Sequence, residues 1–249
     1  MILSRQLDLI VANAENAAGG SGLTPAIYRR LIEAGIDAIT LGDHVYRRKE
    51  IYSVFRSEEN LVRPANLPEE AVGQQWAVVP SRSGLPVAVF CLLGQLFMKP
   101  ADSPWQAAER VLAEIPAEVR VRFLDFHAEA TSEAQLMGRH LDGKVSAVLG
   151  THTHVPTADE CILPQGTAFQ CDVGMTGPYA SIIGRRIERV METTLTANPT
   201  QFEVASGDCR LSGTLVEVDP ETGLATRIER ICVTESDLPE LESLATAQS

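Results

Sequence analysis

No two cysteines are spaced C-x-x-C, and the five present (Cys91, Cys161, Cys171, Cys209, Cys232) are an odd number. A disulfide framework and a cysteine-built zinc site are therefore not expected, and a reducing, cytoplasmic compartment fits. The cysteines read most simply as small core residues. Long hydrophobic runs are also missing. The longest lies near Val87–Leu93, far short of the roughly 20 residues a membrane span needs. The Met1–Leu7 start is too short for a signal peptide and is followed by Asp8. Positive charge is in the minority: 21 Lys and Arg against 33 Asp and Glu leave a net charge of −12. That excludes gripping a nucleic-acid backbone by bulk charge, and no basic stripe is found. There is no repeat, no low-complexity segment and no long Pro/Gly linker. With 249 residues, the expectation is one domain over residues 1–234 and an acidic, fraying tail over 235–249.

What is present is an alternation of strand-like and helix-like pieces. Asp8–Asn13 is a short apolar run of the kind buried on both faces. The Gly19–Gly22 loop follows, and Thr24-Pro25 opens a helix ending at Gly35. Strands are expected at Asp37–Leu41, Trp76–Val79, Pro86–Leu93, Val121–Phe126, Val145–Leu149 and Thr167–Val173. Helices are expected at Glu50–Phe55, Trp105–Ile115, Ser132–His140 and Arg186–Leu195. Arg210–Val218 and Ala225–Val233 form a hairpin across the Asp219–Gly223 turn. This is an α/β pattern with open sheets.

Four of the five histidines follow the end of an apolar strand. His44 stands in Gly42-Asp43-His44, His127 in Asp125-Phe126-His127, and His152 and His154 in Gly150-Thr151-His152-Thr153-His154. Glu15 and Asn16 follow the first strand. Open α/β sheets bind ligands outside the carboxyl ends of their strands, so these residues are expected to meet. Imidazole with carboxylate suits Zn, Mn, Fe or Co. In an extended segment His152 and His154 point the same way and reach one cluster. A carboxylate such as Glu15 can bridge two metals, which hold a phosphate oxygen and generate hydroxide. His140, inside a helix, reads as structural. Asp125 or Glu129 either orients His127 or is an ordinary loop residue. The Gly19–Gly22 loop is a plain turn or an anion site. Arg63 contacts a substrate phosphate or forms an ion pair.

Six motifs then carry a resemblance: Asn13-Ala14-Glu15-Asn16-Ala17-Ala18-Gly19-Gly20, Gly42-Asp43-His44, Leu61-Val62-Arg63-Pro64-Ala65-Asn66, Asp125-Phe126-His127-Ala128-Glu129, Gly150-Thr151-His152-Thr153-His154 and Asp172-Val173-Gly174-Met175-Thr176-Gly177-Pro178. In that order they resemble the YmdB-like branch of the calcineurin-type metallophosphoesterases. The resemblance implies a four-layer α-β-β-α sandwich, two divalent transition-metal ions (Fe, Mn, Zn or Co) and hydrolysis of phosphodiesters, typically 2′,3′-cyclic nucleotides. It implies Glu15 between the metals with Asn16 beside it, Asp43, His127 and His152 on one metal, His154 on the other, and His44 as general acid. It also implies a homo-oligomer, a dimer or tetramer.

Two departures from that pattern stand out. The family opens on a strand ending Gly-Asp-x-Val-Gly, whose Asp is a metal ligand; the present sequence starts at Met1-Ile2-Leu3, as after such a strand, so a shortened start is expected. Asp43 stands where the family usually has Asn, adding negative charge. The competing readings are a non-enzymatic metal-binding or nucleotide-sensing regulator lacking one ligand, and an amidohydrolase. The latter carries its H-x-H near the start, which residues 152–154 do not match.

Overall fold

The computed structural model describes residues 7–239 and 241. The expectations for Met1–Gln6 and for most of the tail lie outside these residues. Strands β1 (Val11–Asn13), β2 (Ala38–Thr40) and β3 (Leu61–Val62) form a parallel sheet in the order β1-β2-β3, with helices α1 (Pro25–Glu33) and α2 (Ile51–Ser57) as the crossovers. Thr24 caps α1: its Oγ1 accepts from the Ile27 amide at 3.4 Å, and Pro25 sits where no amide is needed.

A second sheet has six strands in the order β4-β5-β6-β7-β9-β8. These are β4 (Trp76–Pro80), β5 (Pro86–Leu93), β6 (Val121–His127), β7 (Ala147–Thr151), β8 (Cys161–Ile162) and β9 (Ala168–Gln170). The inner strands β5, β6, β7 and β9 are parallel; the edges β4 and β8 are antiparallel. Helices α3 (Pro104–Glu114) and α4 (Thr131–His140) make the crossovers on either side of β6. The long hairpin β11 (Cys209–Val218) and β12 (Ala225–Thr234), with β10 (Gly177–Pro178) on its edge, is a third sheet. Helix α5 (Ile187–Thr196) precedes the hairpin.

The apolar clusters show the layering. Leu23, Tyr28, Ile39, Val54 and Leu61 join α1 and α2 to the first sheet. Ala38 and Val62 meet Val79, Val87 and Val89 between the first and second sheets. Ala147, Leu149 and Ala168 meet Ala225, Val216 and Ile228 of the hairpin. Ala107, Val111, Met137 and Leu141 cover the far face of the second sheet against Phe90, Leu124 and Phe126. Helices, sheets, sheet, helices: this is the α-β-β-α sandwich that the family resemblance implied.

Several boundaries differ from expectation. β1 is shorter than Asp8–Asn13 and only half-buried, β2 being its only strand partner among the described residues. β7 lies two residues later than Val145–Leu149, which makes Thr151 its last residue, paired across the sheet with His127. The two-residue strands β3, β8 and β10 were not expected; such short strands exist through their neighbours' hydrogen bonds, not through a pattern of their own. Cys91 and Cys171 are buried, but Cys161, Cys209 and Cys232 are exposed, so the core reading fails for three of the five. Glu235–Asp237 is a 3-10 turn closed by a Thr234–Asp237 capping box.

Candidate metal centre

Four strand ends converge. β1 delivers Glu15 and Asn16, β2 delivers Asp43 and His44, β6 ends on His127, and β7 leads into His152 and His154. Glu15 Oε2 lies 3.1 Å from His127 Nε2, and Glu15 Oε1 lies 3.2 Å from His44 Nδ1. Asp43 Oδ1 stands 3.5 Å from His127 Nε2, and His152 Nδ1 is 3.1 Å from the same nitrogen. One ligand atom each from Glu15, Asp43, His127 and His152 lies within 4.8 Å of the others. Such proximity is possible only because residue 42 is glycine. A Cβ there would stand 1.9 Å from Glu15 Oε2 and 2.3 Å from His127 Nε2.

The outer nitrogens of His127 and His154 each have a hydrogen-bond acceptor and that of His152 has a carboxylate at ion-pair distance, which orients the rings so that the other nitrogen faces inward. The Thr151 hydroxyl donates to Asp125 Oδ1 at 2.6 Å, so its oxygen accepts from His127 Nδ1–H at 2.8 Å. Asp125 is itself buried, taking further hydrogen bonds from Thr40 Oγ1 at 2.5 Å and Asn13 Nδ2 at 2.9 Å. Glu129 Oε2 lies 3.2 Å from His152 Nε2, and the Ile183 carbonyl accepts from His154 Nδ1–H at 2.9 Å. The inward nitrogens are thus Nε2 of His127, Nδ1 of His152 and Nε2 of His154. Asp125 orients His127 through Thr151, while Glu129 serves His152 instead.

His152 and His154 are not in an extended segment, contrary to expectation. Both have left-handed backbone, φ +113° and +67°. The loop is held by buried Asp172, which accepts from the Thr153 amide at 2.8 Å, the Thr153 hydroxyl at 2.9 Å and the Gly174 amide at 2.8 Å. His152 consequently turns toward His127, and His154 Nε2 meets Asn16 Nδ2 at 3.2 Å.

The donor set fits a metal ion. Asp43 Oδ1 is buried and makes no hydrogen bond, an arrangement that costs free energy unless a cation completes it. Burial opposes the charge on Glu15 and Asp43, yet His127 beside both, His44 beside Glu15 and Lys99 beside Asp43 hold the two carboxyls well below the usual carboxylate range. Burial likewise opposes a charge on His127, but Glu15 and Asp43 raise its pKa to about 10. Without metal, a proton on His127 offsets the convergent carboxylates; a divalent ion would replace it.

Two sequence candidates lie elsewhere. Arg63 meets neither a phosphate site nor a carboxylate. It is buried, and its guanidinium donates to the carbonyls of Pro64 (2.9 Å), Ala71 (3.0 Å), Pro68 (3.3 Å) and Glu69 (3.4 Å). The Gly19–Gly22 loop is a turn whose carbonyls, at Gly19 and Gly20, accept from Arg185, while Arg48 donates to Ser21 O. His140 Nε2 lies 2.9 Å from Glu109 Oε1 at ion-pair distance, and its ring packs edge-on to Trp105, the structural role expected. Residues that sequence reasoning passed over are Thr151 and Asp172, which orient the ligands, and Lys99, whose ammonium lies 2.9 Å from Asp43 Oδ2. The alternation of Thr with His in Thr151–His154 was the one available signal.

Comparison with known proteins agrees with this geometry. The family model described as YmdB-like protein matches residues 1–231. The 2′,3′-cyclic-nucleotide 2′-phosphodiesterase of Bacillus subtilis is 46% identical over 228 residues, 92% of the present chain and 86% of that protein. A crystal structure of a hypothetical protein from Thermus thermophilus superimposes with a TM-score of 0.88 at 41% identity, covering 94% of this chain and 90% of that one. The crystal structure of a phosphatase from Mycoplasma pneumoniae gives 0.85 at 32% identity, covering 97% and 90%. With matching sequence and fold, the chain belongs to the YmdB-like family.

Proposed function

We propose that the protein is a metal-dependent phosphodiesterase that opens 2′,3′-cyclic nucleotides, using two divalent transition-metal ions (Fe, Mn, Zn or Co). The observation that carries this reading is the convergence of Glu15, Asp43, His127 and His152 on one point, with Asp43 Oδ1 buried and without a hydrogen bond. Asp43, His127 and His152 would hold one ion. His154 would hold the other with Asn16 beside it, and Glu15 would be shared. Bound there, the ions would fix a phosphate oxygen and supply hydroxide near neutral pH.

His44 is the acid in this scheme. Its Nδ1 faces two acceptors, Glu15 Oε1 at 3.2 Å and Asn16 Oδ1 at 3.1 Å, so Nδ1 carries a hydrogen. The Asn16 amide is oriented by its own donation to Glu15 Oε1 at 3.1 Å. In the imidazolium the second proton is on Nε2, and that proton goes to the departing ribose oxygen. The neutral ring left behind already has the tautomer that Glu15 and Asn16 favour, so no rotation is needed.

The test is elemental analysis of protein purified without chelators, combined with turnover of 2′,3′-cyclic AMP and identification of the product. Two transition-metal ions per chain and a single monophosphate product are expected. Metal without turnover would favour a binding regulator; no metal would overturn the centre. The reading extends to a cytoplasmic homo-oligomer. Among the described residues no helix is long and apolar enough to cross a membrane. Helix α5 has no buried residue and leaves Ile187, Met191 and Leu195 exposed along one stripe, as a subunit interface would require.

A further inference from the structure

A groove of about 290 Å³ adjoins the centre and shares Asp43 and His44 with it. Val45, Tyr46 and Arg47 line it from one segment, Leu67, Pro68 and Ala71 from a second, and Lys99 from a third. A leaving oxygen within reach of His44 places the organic part of a phosphodiester here.

The first two segments are built to stay put. The Tyr46 hydroxyl donates to the Val72 carbonyl at 2.6 Å, and the ring stacks on Tyr52 at 5.3 Å and 14°. In the second segment, Pro68, Glu69 and Ala71 are tied by their carbonyls to the buried Arg63. A buried guanidinium needs its N–H groups satisfied, and here backbone oxygens of the groove wall do so. The residue that looked like a phosphate contact is thus a brace for the wall. The two segments offer a flat aromatic ring and aliphatic surface, suited to a planar, weakly polar body.

Lys99 supplies the polar end. Its Nζ donates to Asp43 O at 3.0 Å and pairs with Asp43 Oδ2 at 2.9 Å. That is the carboxylate oxygen other than Oδ1, which makes no hydrogen bond, so Lys99 balances the charge without competing for the metal-facing atom. An ammonium has three N–H donors. Two are used and one is left.

We propose that this groove is the subsite for the nucleoside part of the substrate, with Arg63 bracing its Leu67–Ala71 wall and the remaining N–H of Lys99 holding a phosphate oxygen. The inference rests on the phosphodiesterase reading for its phosphate but not for its base. It is tested by calorimetry on protein purified without chelators, using adenosine, adenosine 3′-phosphate and inorganic phosphate as probes. Wild type is expected to bind adenosine 3′-phosphate about tenfold more tightly than phosphate, the order expected of base stacking. Leu67→Trp fills the groove and loses that advantage while keeping phosphate affinity. Lys99→Gln, an exposed and mild change, weakens both phosphate-bearing probes about tenfold and leaves adenosine unaffected. Equal binding of adenosine 3′-phosphate and phosphate by wild type overturns the proposal, as does wild-type nucleotide affinity in folded Leu67→Trp. Should that variant not fold, unchanged phosphate affinity in Lys99→Gln overturns it instead. A parallel assay with bis(4-nitrophenyl) phosphate separates the two readings. Nucleoside binding without hydrolysis supports the groove and sinks the reaction; hydrolysis without nucleoside binding sinks the groove alone.

Discussion

His127, one of the four converging residues, and His154, which meets them only through Asn16, are placed by opposite means. His127 is the last residue of a central strand, buried, with its ring fixed by the side chain of the residue paired beside it, Thr151, and through that by Asp125. His154 is on a loop, partly exposed, in left-handed backbone, and its ring is fixed by the main-chain carbonyl of Ile183, itself at φ +44°. One half of the centre is part of the sandwich; the other is draped over it. Sheet hydrogen bonds and core packing hold the first half in place before any ligand arrives. The second depends on a loop anchored by Asp172, and so has more to gain in order from a bound ion.

The largest expected effect comes from the residue that joins the halves. Glu15 reaches His127 with one oxygen and, through the Asn16 amide on the other, His154. Glu15→Gln should lose metal from both halves and all turnover; elemental analysis showing one ion retained would mean the halves are independent. His44→Ala should keep its metal and lose about 10²–10⁴ in kcat; metal loss in that variant would make His44 a ligand rather than an acid. Thr151→Val removes the hydroxyl between His127 and Asp125 and should weaken metal binding about 10–100-fold. Unchanged affinity would show that strand geometry alone aims the ring.

The smallest effect is a slope with pH. The raised pKa of His127, from 6.5 to about 10, means that the stability it adds to the metal-free protein is complete below pH 6.5 and is lost as the pH climbs toward 10. The lowered carboxyls Glu15 and Asp43 contribute fully above their ordinary values of 4.5 and 3.8 and stay constant across that window. A bound ion takes the place of the His127 proton. The difference in melting temperature between metal-loaded and chelated protein should therefore widen from pH 6.5 to 10. A flat difference would show that His127 does not exchange its proton for metal.

The buried half was the more legible in the sequence. An apolar strand that stops on Asp-Phe-His announces both the strand and the ligand, because burial and chemistry are written in the same few residues. The draped half was legible in its residues but not in its conformation: two histidines two apart suggested an extended segment, whereas Asp172, distant in sequence, imposes left-handed turns. Arg63 was misread for a related reason. Its partners are four main-chain carbonyls, and no side-chain code records where a carbonyl will point. Lys99 belongs to a loop with no periodicity, and only the folded chain brings it to Asp43. Strands β3, β8 and β10 escaped notice because two residues carry no pattern.

The positive φ of His152 and His154 also determines how these positions are best probed. Alanine there would keep the steric cost of left-handed backbone, about 1–2 kcal/mol, and would confuse a weakened loop with a lost ligand. Glycine adopts the same backbone without that penalty and leaves a hole the shape of an imidazole ring. His154→Gly is therefore a candidate for chemical rescue: free imidazole diffusing into the vacated space can stand in for the missing ring, because the chain around it has no reason to collapse.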